Sequence, residues 1–537
     1  MPIINKTIKL LIDAFIHSWN NFSDRTALDV KNVSYTYNDL YKIAGGISNC
    51  IKKRSSSEDK LIGILADRSI TAYSGILGIL LSGKGYVPFN KNFPVLRTLS
   101  MIELSQVKTI IVGEECIEYL EECLKTISSD KCFLMPDKHN SAPLKKKYPR
   151  HQFIMLTSPV PGNEPIELPS VDGDSIAYLL FTSGSTGVPK GVAITNKNVS
   201  SFLNYLSTKY HFDKTDRFFQ ISELTFDLSV QDLFLCWMSG ACLCVSNDTS
   251  TVTIAKFIKE KKITSWFSVP SVAVLLSKMR LLKSNTFPLL KYSMFCGEVL
   301  PERIAQEWQS AAPNSTLINF YGPTEGTISI THYEWKKDSE TNHCLNGIVP
   351  IGTIFETQEF CILDELNKPV ATGEKGELCI RGTQVISKYF SSVPNQNDIF
   401  IKIQGQGENT WYKTGDLVTS NQNNIIYYLG RKDSQVKIKG YRVELGEIDY
   451  VIRIAATTDM IATITQNNPD GTADKILSFV VRQKDSTISE ADIIKECMIK
   501  LPKYMIPDKI FFLDGMPLNS NGKIDRQRLT NEFKYEG

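Results

Sequence analysis

No two of the 12 cysteines are spaced as C-x-x-C, so the sequence offers neither the usual structural zinc clamp nor a dithiol redox pair. They stand at 50, 116, 123, 132, 236, 242, 244, 296, 344, 361, 379 and 497, a scatter that suits a reducing cytoplasm, where the protein is expected to reside. Cys242 and Cys244 are two apart within the apolar run 241–245. Their side chains are expected on opposite faces of a strand, as buried small hydrophobes and not as metal ligands. Long apolar runs are also missing. The stretch 10–16 is short and broken by Asp13, so it reads as the buried stripe of an N-terminal helix and not as a leader or a membrane span. Neither sign of charge dominates, since 60 basic against 58 acidic residues leave a formal net charge of +2. That balance gives no reason to expect nucleic acid or an anionic membrane as a partner.

What is present is an ordinary globular composition, 42% apolar and 22% charged, in a chain of 537 residues, long enough for two or more domains. The first half alternates apolar runs with helical periods. Residues 60–66 predict a buried strand and 70–81 a helix closed by the Gly83-Lys84-Gly85 breaker. Leu40, Ile43, Ile47 and Ile51 share a helical face after the polar starter Asn38-Asp39, and 108–112 predict another strand. This order implies an α/β fold with parallel strands and covering helices. The basic stretch 141–150 is expected to be a solvated loop. Past Ile351 the runs shorten, at 359–363, 376–380 and 425–429, and a charged break follows at 430–433. A boundary near Asp433 divides the chain into a large part, 1–432, and a small part, 433–537.

The apolar strand 176–181 runs straight into TSGSTGVPKG at 182–191. Small residues let backbone N–H groups approach phosphate oxygens, hydroxyls add donors and Lys190 adds charge. The order of residues is not that of a Walker loop. Further along come TFDLS (225–229), NFYGPTE (319–325), GELCIRG (376–382), YKTGDL (412–417), GRKD (430–433), KIKGYRVELGE (437–447) and NGKIDR (521–526). At these motifs the chain resembles the adenylate-forming superfamily of acyl-CoA synthetases, luciferases and nonribosomal peptide synthetase adenylation domains. The strings FDLSVQD and FCGEVLP are further similar to D-alanine–carrier-protein ligases.

The resemblance implies a large domain of mixed sheets with a small β-barrel-like part, and a mobile α+β C-terminal domain. It implies ATP and Mg²⁺ as cofactors. Thr182, Ser183, Gly184, Ser185, Thr186, Gly187 and Lys190 would cradle the phosphates, and Glu325 would be the Mg²⁺ carboxylate. Asn319 would read the adenine edge beside Tyr321, with Gly322, Thr324 and Tyr428 also at the nucleotide. Asp416 would accept from the ribose hydroxyls, and Arg431 would reach the ribose or a phosphate. Lys523 would be the catalytic lysine, bridging the α-phosphate and the attacking carboxylate. Asp433 would be the hinge about which the small domain turns, bringing Lys439, Gly440 and Tyr441 toward an incoming thiol.

Asp227 bears on the substrate. By the resemblance it pairs with the α-ammonium of an amino acid; the alternative is a helix N-cap for the segment that follows. The pocket would be lined by Asp227, Leu228, Gln231, Phe267, Met294, Cys296, Phe320, Ile328 and Ser329. The bulk of Phe267, Met294 and Phe320 argues for a small side chain, D-alanine first. The expected partners are the amino acid and a phosphopantetheinyl carrier protein acting in trans, because no carrier motif follows Arg526. A monomer is expected. The alternative enzyme is an acyl- or aryl-CoA ligase.

Overall fold

The computed structural model describes residues 7–137, 140–156, 168, 170–184, 189–248, 250–336, 344–390, 398–403, 410–468, 473–482, 487–518 and 524–533. Lys523 and the phosphate-loop residues Ser185, Thr186 and Gly187 lie outside them.

The apolar run at 60–66 forms the strand Leu61–Leu65, buried at every position, and the helical period after it forms the helix Ile70–Leu81. Ser69 starts that helix by accepting a hydrogen bond from Ala72 N. Such strand–helix units align in a seven-stranded sheet, in the order Gln152–Met155, Cys132–Met135, Thr109–Val112, Leu61–Leu65, Gly85–Phe89, Ile176–Thr182, Lys190–Thr195. All neighbours are parallel except the last pair. A nine-stranded sheet has a parallel centre made of Thr26–Val30, Cys242–Val245, Arg217–Gln220, Ser265–Ser268, Tyr292–Phe295 and Thr316–Tyr321. Its antiparallel margins are Val33–Thr36 at one edge and Thr331–Trp335 with Thr353–Ile354 at the other.

One continuous core joins both sheets through Ile62, Ile64, Leu180, Phe218, Leu243 and Ile318 and through the helices Tyr37–Arg54, Ile70–Leu81 and Leu228–Met238. Leu228–Met238 is buried from Leu228 through Trp237, as an apolar helix without a polar face must be. An antiparallel five-stranded sheet, Gln358–Leu363 to Ile426–Arg431, stands where the β-barrel-like part is expected. The small C-terminal domain has its own five-stranded sheet and a separate core around Ile448, Ile452, Val480 and Ile510.

Three expectations need correction. Cys242 and Cys244 share a face, with their sulfurs 3.9 Å apart, because the strand period is two and positions i and i+2 point the same way. Both are buried free thiols, and no cluster of three or more His, Cys, Asp or Glu suited to a metal occurs among the described residues. The basic stretch at 141–150 contains a short helix, Ala142–Lys147, and is not an open loop. Two of its charges are met by carboxylates from other segments, Lys147 by Glu121 at 2.7 Å and Arg150 by Asp130 at 3.0 Å. The N-terminal helix begins only at Asp13, whose carboxylate accepts from Lys9 N and Leu10 N. Among the described residues no helix is long and apolar enough to cross a membrane.

Candidate active site

The phosphate-type loop is the turn of a hairpin. Ile176–Thr182 and Lys190–Thr195 pair antiparallel, with Thr182 opposite Lys190. Thr182 Oγ1 is buried without a hydrogen-bond partner among the described residues, Ser183 Oγ donates to the carbonyl of Arg442 at 2.8 Å, and Gly184 is the last residue described before Pro189. Thr182 and Ser183 open onto a cavity of about 90 Å³, together with Asp227, Leu228, Cys296, Gly322, Thr324, Ile328, Asp416 and Arg431.

Asp227 stands at the N-cap position of Leu228–Met238 but makes no capping bond, so its side chain does not serve the helix. It is buried, and no cation lies within ion-pair distance among the described residues. Desolvation raises its pKa to about 6, against smaller opposing effects from a Thr324 hydrogen bond and from Lys437. Gln231, Phe267, Met294, Phe320 and Ser329 are buried, and Phe267, Met294 and Phe320 belong to the core cluster that also holds the cavity-lining Leu228, Cys296 and Ile328. Gln231 Nε2 rests on Met294 Sδ at 3.3 Å, and the rings of Phe267 and Phe320 meet edge to face at 6.3 Å. Cys296 Sγ points to Ile328 O at 3.9 Å, and burial pushes its thiol up to about 12, which removes it as a nucleophile near neutral pH.

The strand Thr316–Tyr321 delivers Asn319, Phe320 and Tyr321 and then turns sharply. Gly322 is needed there, since a Cβ would come within 2.6 Å of Ser329 Cα. Two β-branched residues in the turn, Thr327 and Ile328, hold positive φ of 61° and 70°. This is costly backbone, and Gln384 pins it by donating to Ser329 O at 2.8 Å and to Gly326 O at 3.3 Å.

At the other end, a second cavity of about 420 Å³ is bordered by Asn319, Tyr321, Tyr428 and Arg431. The Asn319 amide donates to Pro350 O at 2.9 Å and leaves its Oδ1 buried without a partner among the described residues. The hydroxyl of Tyr321 donates to Asp416 Oδ2, and Arg431 Nη1 donates to Asp416 Oδ1 at 2.6 Å. Arg431 also grips Asp433 bidentately, 2.7 Å on each side, so the expected hinge residue is tied to the expected ribose site.

Glu325 lies in the short 3₁₀ turn Thr324–Gly326 and is fully buried. Tyr389 donates to it at 2.7 Å, and Arg442 Nη1 reaches its two oxygens at 3.1 and 2.8 Å. Burial alone would raise its pKa, but the guanidinium of Arg442 and the hydrogen bonds from Tyr389 and Tyr412 together outweigh that and hold it below the usual carboxylate range. Arg442 belongs to the small-domain hairpin Gln435–Ile438 and Tyr441–Glu444, which lies over the site. Gly440 N donates to Glu298 at 2.6 Å, and its φ of +83° and contact with Val269 leave no room for a side chain. Tyr441 stacks on Tyr504 at 3.7 Å and meets Phe226 edge to face. A buried pair, Arg97 with Glu447 at 2.7 Å, ties the two domains farther out.

Of the expected site residues that are described, Thr182, Ser183, Asp227, Leu228, Cys296, Gly322, Thr324, Ile328, Asp416 and Arg431 line the first cavity and Asn319, Phe320, Tyr321, Tyr428, Arg431 and Asp433 the second, whereas Gly184, Lys190, Gln231, Phe267, Met294, Glu325 and Ser329 line neither. Sequence reasoning misses Arg442, Glu444, Lys437 and Tyr389. Arg442 and Glu444 lie inside a quoted motif, yet nothing local couples Arg442 to Glu325, 117 residues away. The residues present fit a divalent cation. Glu325 is a hard oxygen donor already paired with positive charge, and its neighbour Thr324 lines the cavity together with Thr182 and Thr225, whose hydroxyls have no partner among the described residues. The unpartnered Asn319 Oδ1 likewise fits an amino-bearing base.

A hydroxyl-rich hairpin at the edge of a parallel sheet, with a second domain folded over it, defines a two-domain α/β nucleotide-binding protein. The sequence matches the family described as AMP-binding enzyme over residues 15–390, and the chain belongs to that family. Bacitracin synthase 3 of Bacillus licheniformis is 29% identical over 527 residues, 97% of this chain but only 8% of the relative's own length. The D-alanine–D-alanyl carrier protein ligase of Bacillus velezensis is 29% identical over 512 residues, 93% of this chain and 94% of the relative. The Vibrio cholerae adenylation domain AlmE, solved in complex with glycyl-adenosine-5'-phosphate, shares the fold with a TM-score of 0.88 at 28% identity, covering 99% of both chains.

Proposed function

We propose that the protein uses ATP to convert a small amino acid into its aminoacyl-adenylate and passes the aminoacyl group to the phosphopantetheine thiol of a separate carrier protein. The observation that carries this reading is Asp227, a buried carboxylate that caps nothing and meets no protein cation among the described residues. Such a group is costly unless a ligand brings the positive charge. An α-ammonium does so, and the bulk of Phe267, Met294 and Phe320, in the core cluster shared with Leu228, Cys296 and Ile328 of the cavity wall, supports a small side chain. D-alanine is the first candidate, in keeping with the relative named for it; glycine is the next, in keeping with the adenylate bound to AlmE.

In this reading Asp227 fixes the amine and so aims the substrate carboxylate at the hairpin 182–190, where the α-phosphate would lie. A carboxylate oxygen attacks the α-phosphorus, the bond to the β-phosphate breaks, and pyrophosphate leaves. Thr182, Ser183 and Lys190 hold phosphate oxygens, Asp416 holds the ribose, Asn319 accepts from the adenine amino group, and Lys523 steadies the shifting charge. When bound at Glu325, Mg²⁺ supplies positive charge to the triphosphate. The carrier thiol then attacks the acyl carbon, AMP departs, and the small domain, turning at Asp433, exchanges Lys523 for Gly440 and Tyr441 between the two steps.

ATP–pyrophosphate exchange across the amino acids, both enantiomers included, tests this. Exchange is expected with D-alanine or glycine; exchange with amine-free carboxylic acids and none with amino acids would overturn the reading.

The pH dependence has a definite sign. Asp227 is ionised only above about 6, so the amino-acid KM is expected to rise as pH falls through that value, approaching about tenfold per pH unit, while the ATP KM stays level. For the ligand-free protein the linkage runs the other way. A folded-state pKa above the unfolded one makes ionised Asp227 a stability cost that sets in between about pH 4 and about pH 6.

Replacing Met294 by alanine is expected to admit larger side chains, read as new exchange with valine or leucine. The lost packing should cost about 2–5 kcal/mol of stability.

A further inference from the structure

The apolar strand Cys242–Val245 sets two thiols side by side under a charged rim. Cys242 Sγ and Cys244 Sγ lie 3.9 Å apart on the sheet face covered by the helix Thr251–Glu260, among Phe219, Ile254 and Ile258. In the parallel ladders Arg217 is the neighbour of Cys242 and Asp29 the neighbour of Cys244, so both charged residues flank the thiols on that face. Lys261 Nζ holds Asp29 at 2.9 Å and Arg217 Nη2 reaches it at 3.4 Å, and both cations are part exposed. Cys242 keeps 6% of its surface open, whereas Cys244 is closed off. The two thiols are also unequal. The hydrogen bond from Cys244, and after it the charges of Arg217 and Lys261, hold Cys242 below its ordinary pKa. Each other cysteine is held above its own, Cys244 first by the bond to Cys242 and the rest by burial. A small oxidant therefore meets a sulfur inclined to the thiolate, with a second sulfur at contact distance to resolve it.

We propose that Cys242 and Cys244 are an oxidation site, at which hydrogen peroxide forms a reversible disulfide within one strand. The sulfur of Cys242 attacks one peroxide oxygen, the O–O bond breaks, and a sulfenic acid forms as the first water leaves with the thiol's proton. The sulfur of Cys244 then attacks that of Cys242, the S–O bond breaks, the S–S bond forms, and the second water leaves with the proton of Cys244. Two electrons pass from the sulfurs to the peroxide. Residues two apart on a parallel strand stand about 6.6 Å apart at Cα, the upper end of the roughly 4.4–6.8 Å that a disulfide spans. Bridging therefore draws the strand in against its ladders to Thr26–Val30 and Arg217–Gln220, and the strained bond is readily reduced by other thiols. Peroxide chemistry at this pair needs neither ATP nor amino acid, so it stands apart from the adenylating reading.

The test uses the full chain, first fully reduced and then given hydrogen peroxide, with differential alkylation and peptide mass mapping as the readout. The peptide holding residues 242 and 244 is expected to lose two hydrogens and resist alkylation before any other pair of cysteines does, and dithiothreitol is expected to restore it. The bridged form should melt at least about 2 °C below the reduced form. Cys244→Ser is expected to stop Cys242 at the sulfenic acid, trapped by dimedone, with no bridge formed. Lys261→Gln, which removes a rim cation, is expected to slow bridging at least about threefold. A pair that stays fully open to alkylation after peroxide would overturn the proposal. So would a bridge formed first between Cys361 and Cys379, which face each other across two strands, or one that joins Cys242 to Cys244 only after denaturant is added.

Discussion

Lys523→Ala is expected to lower aminoacyl-adenylate formation by about 10²–10³-fold, as loss of one well-placed donor to a developing charge typically does. Thiol transfer from preformed adenylate should stay within about threefold of wild type, because in the proposed cycle Gly440 and Tyr441 have by then replaced Lys523 at the site. Single-turnover measurements separate the two: ATP and amino acid for the first step, synthetic adenylate and a holo carrier protein for the second. ATP and amino-acid KM values should change little, since the lysine acts on charge that appears only in the transition state. Equal loss in both steps would contradict a lysine that leaves the site between them.

Asp227→Ala is expected to raise the amino-acid KM by about 10²–10³-fold, the effect of removing one partner of a buried charge pair worth about 3–5 kcal/mol. The KM for ATP should move by less than about threefold. Thermal stability of the ligand-free variant supplies the discriminating readout. Asp227 is buried without a protein cation and caps no helix, so its removal should leave the melting temperature unchanged or higher. A lower melting temperature with an unchanged amino-acid KM would make Asp227 a structural residue and remove the basis for amino-acid activation.

These two predictions draw on different kinds of information. Lys523 is known only through the motif NGKIDR, since residues 521–523 lie outside the described part of the structure. Asp227 could be read two ways in the sequence, as a cap or as an amine ligand. Excluding the cap needed the observation that its carboxylate makes no capping bond. The same division runs through the fold. The helix Ile70–Leu81 and the strand Leu61–Leu65 were legible because apolar period and length act within a dozen neighbouring residues. Ala142–Lys147 was not, because a short lysine-rich segment has no apolar period to show, and its neighbours Glu121 and Asp130 come from elsewhere in the chain.

The sequence by itself determined the order of strands and helices, the phosphate-type hairpin and the kinds of chemical group set out along the motifs from 182 to 526. Only the tertiary structure decided which groups meet. It put Arg442 on Glu325 and Glu444 beside Lys190, and it left Asp227 buried without a capping bond. The reason is physical. Local pattern reports what a segment gains from its own neighbours, whereas an ion pair across 117 residues depends on two separately folded bodies and the water they exclude when they meet.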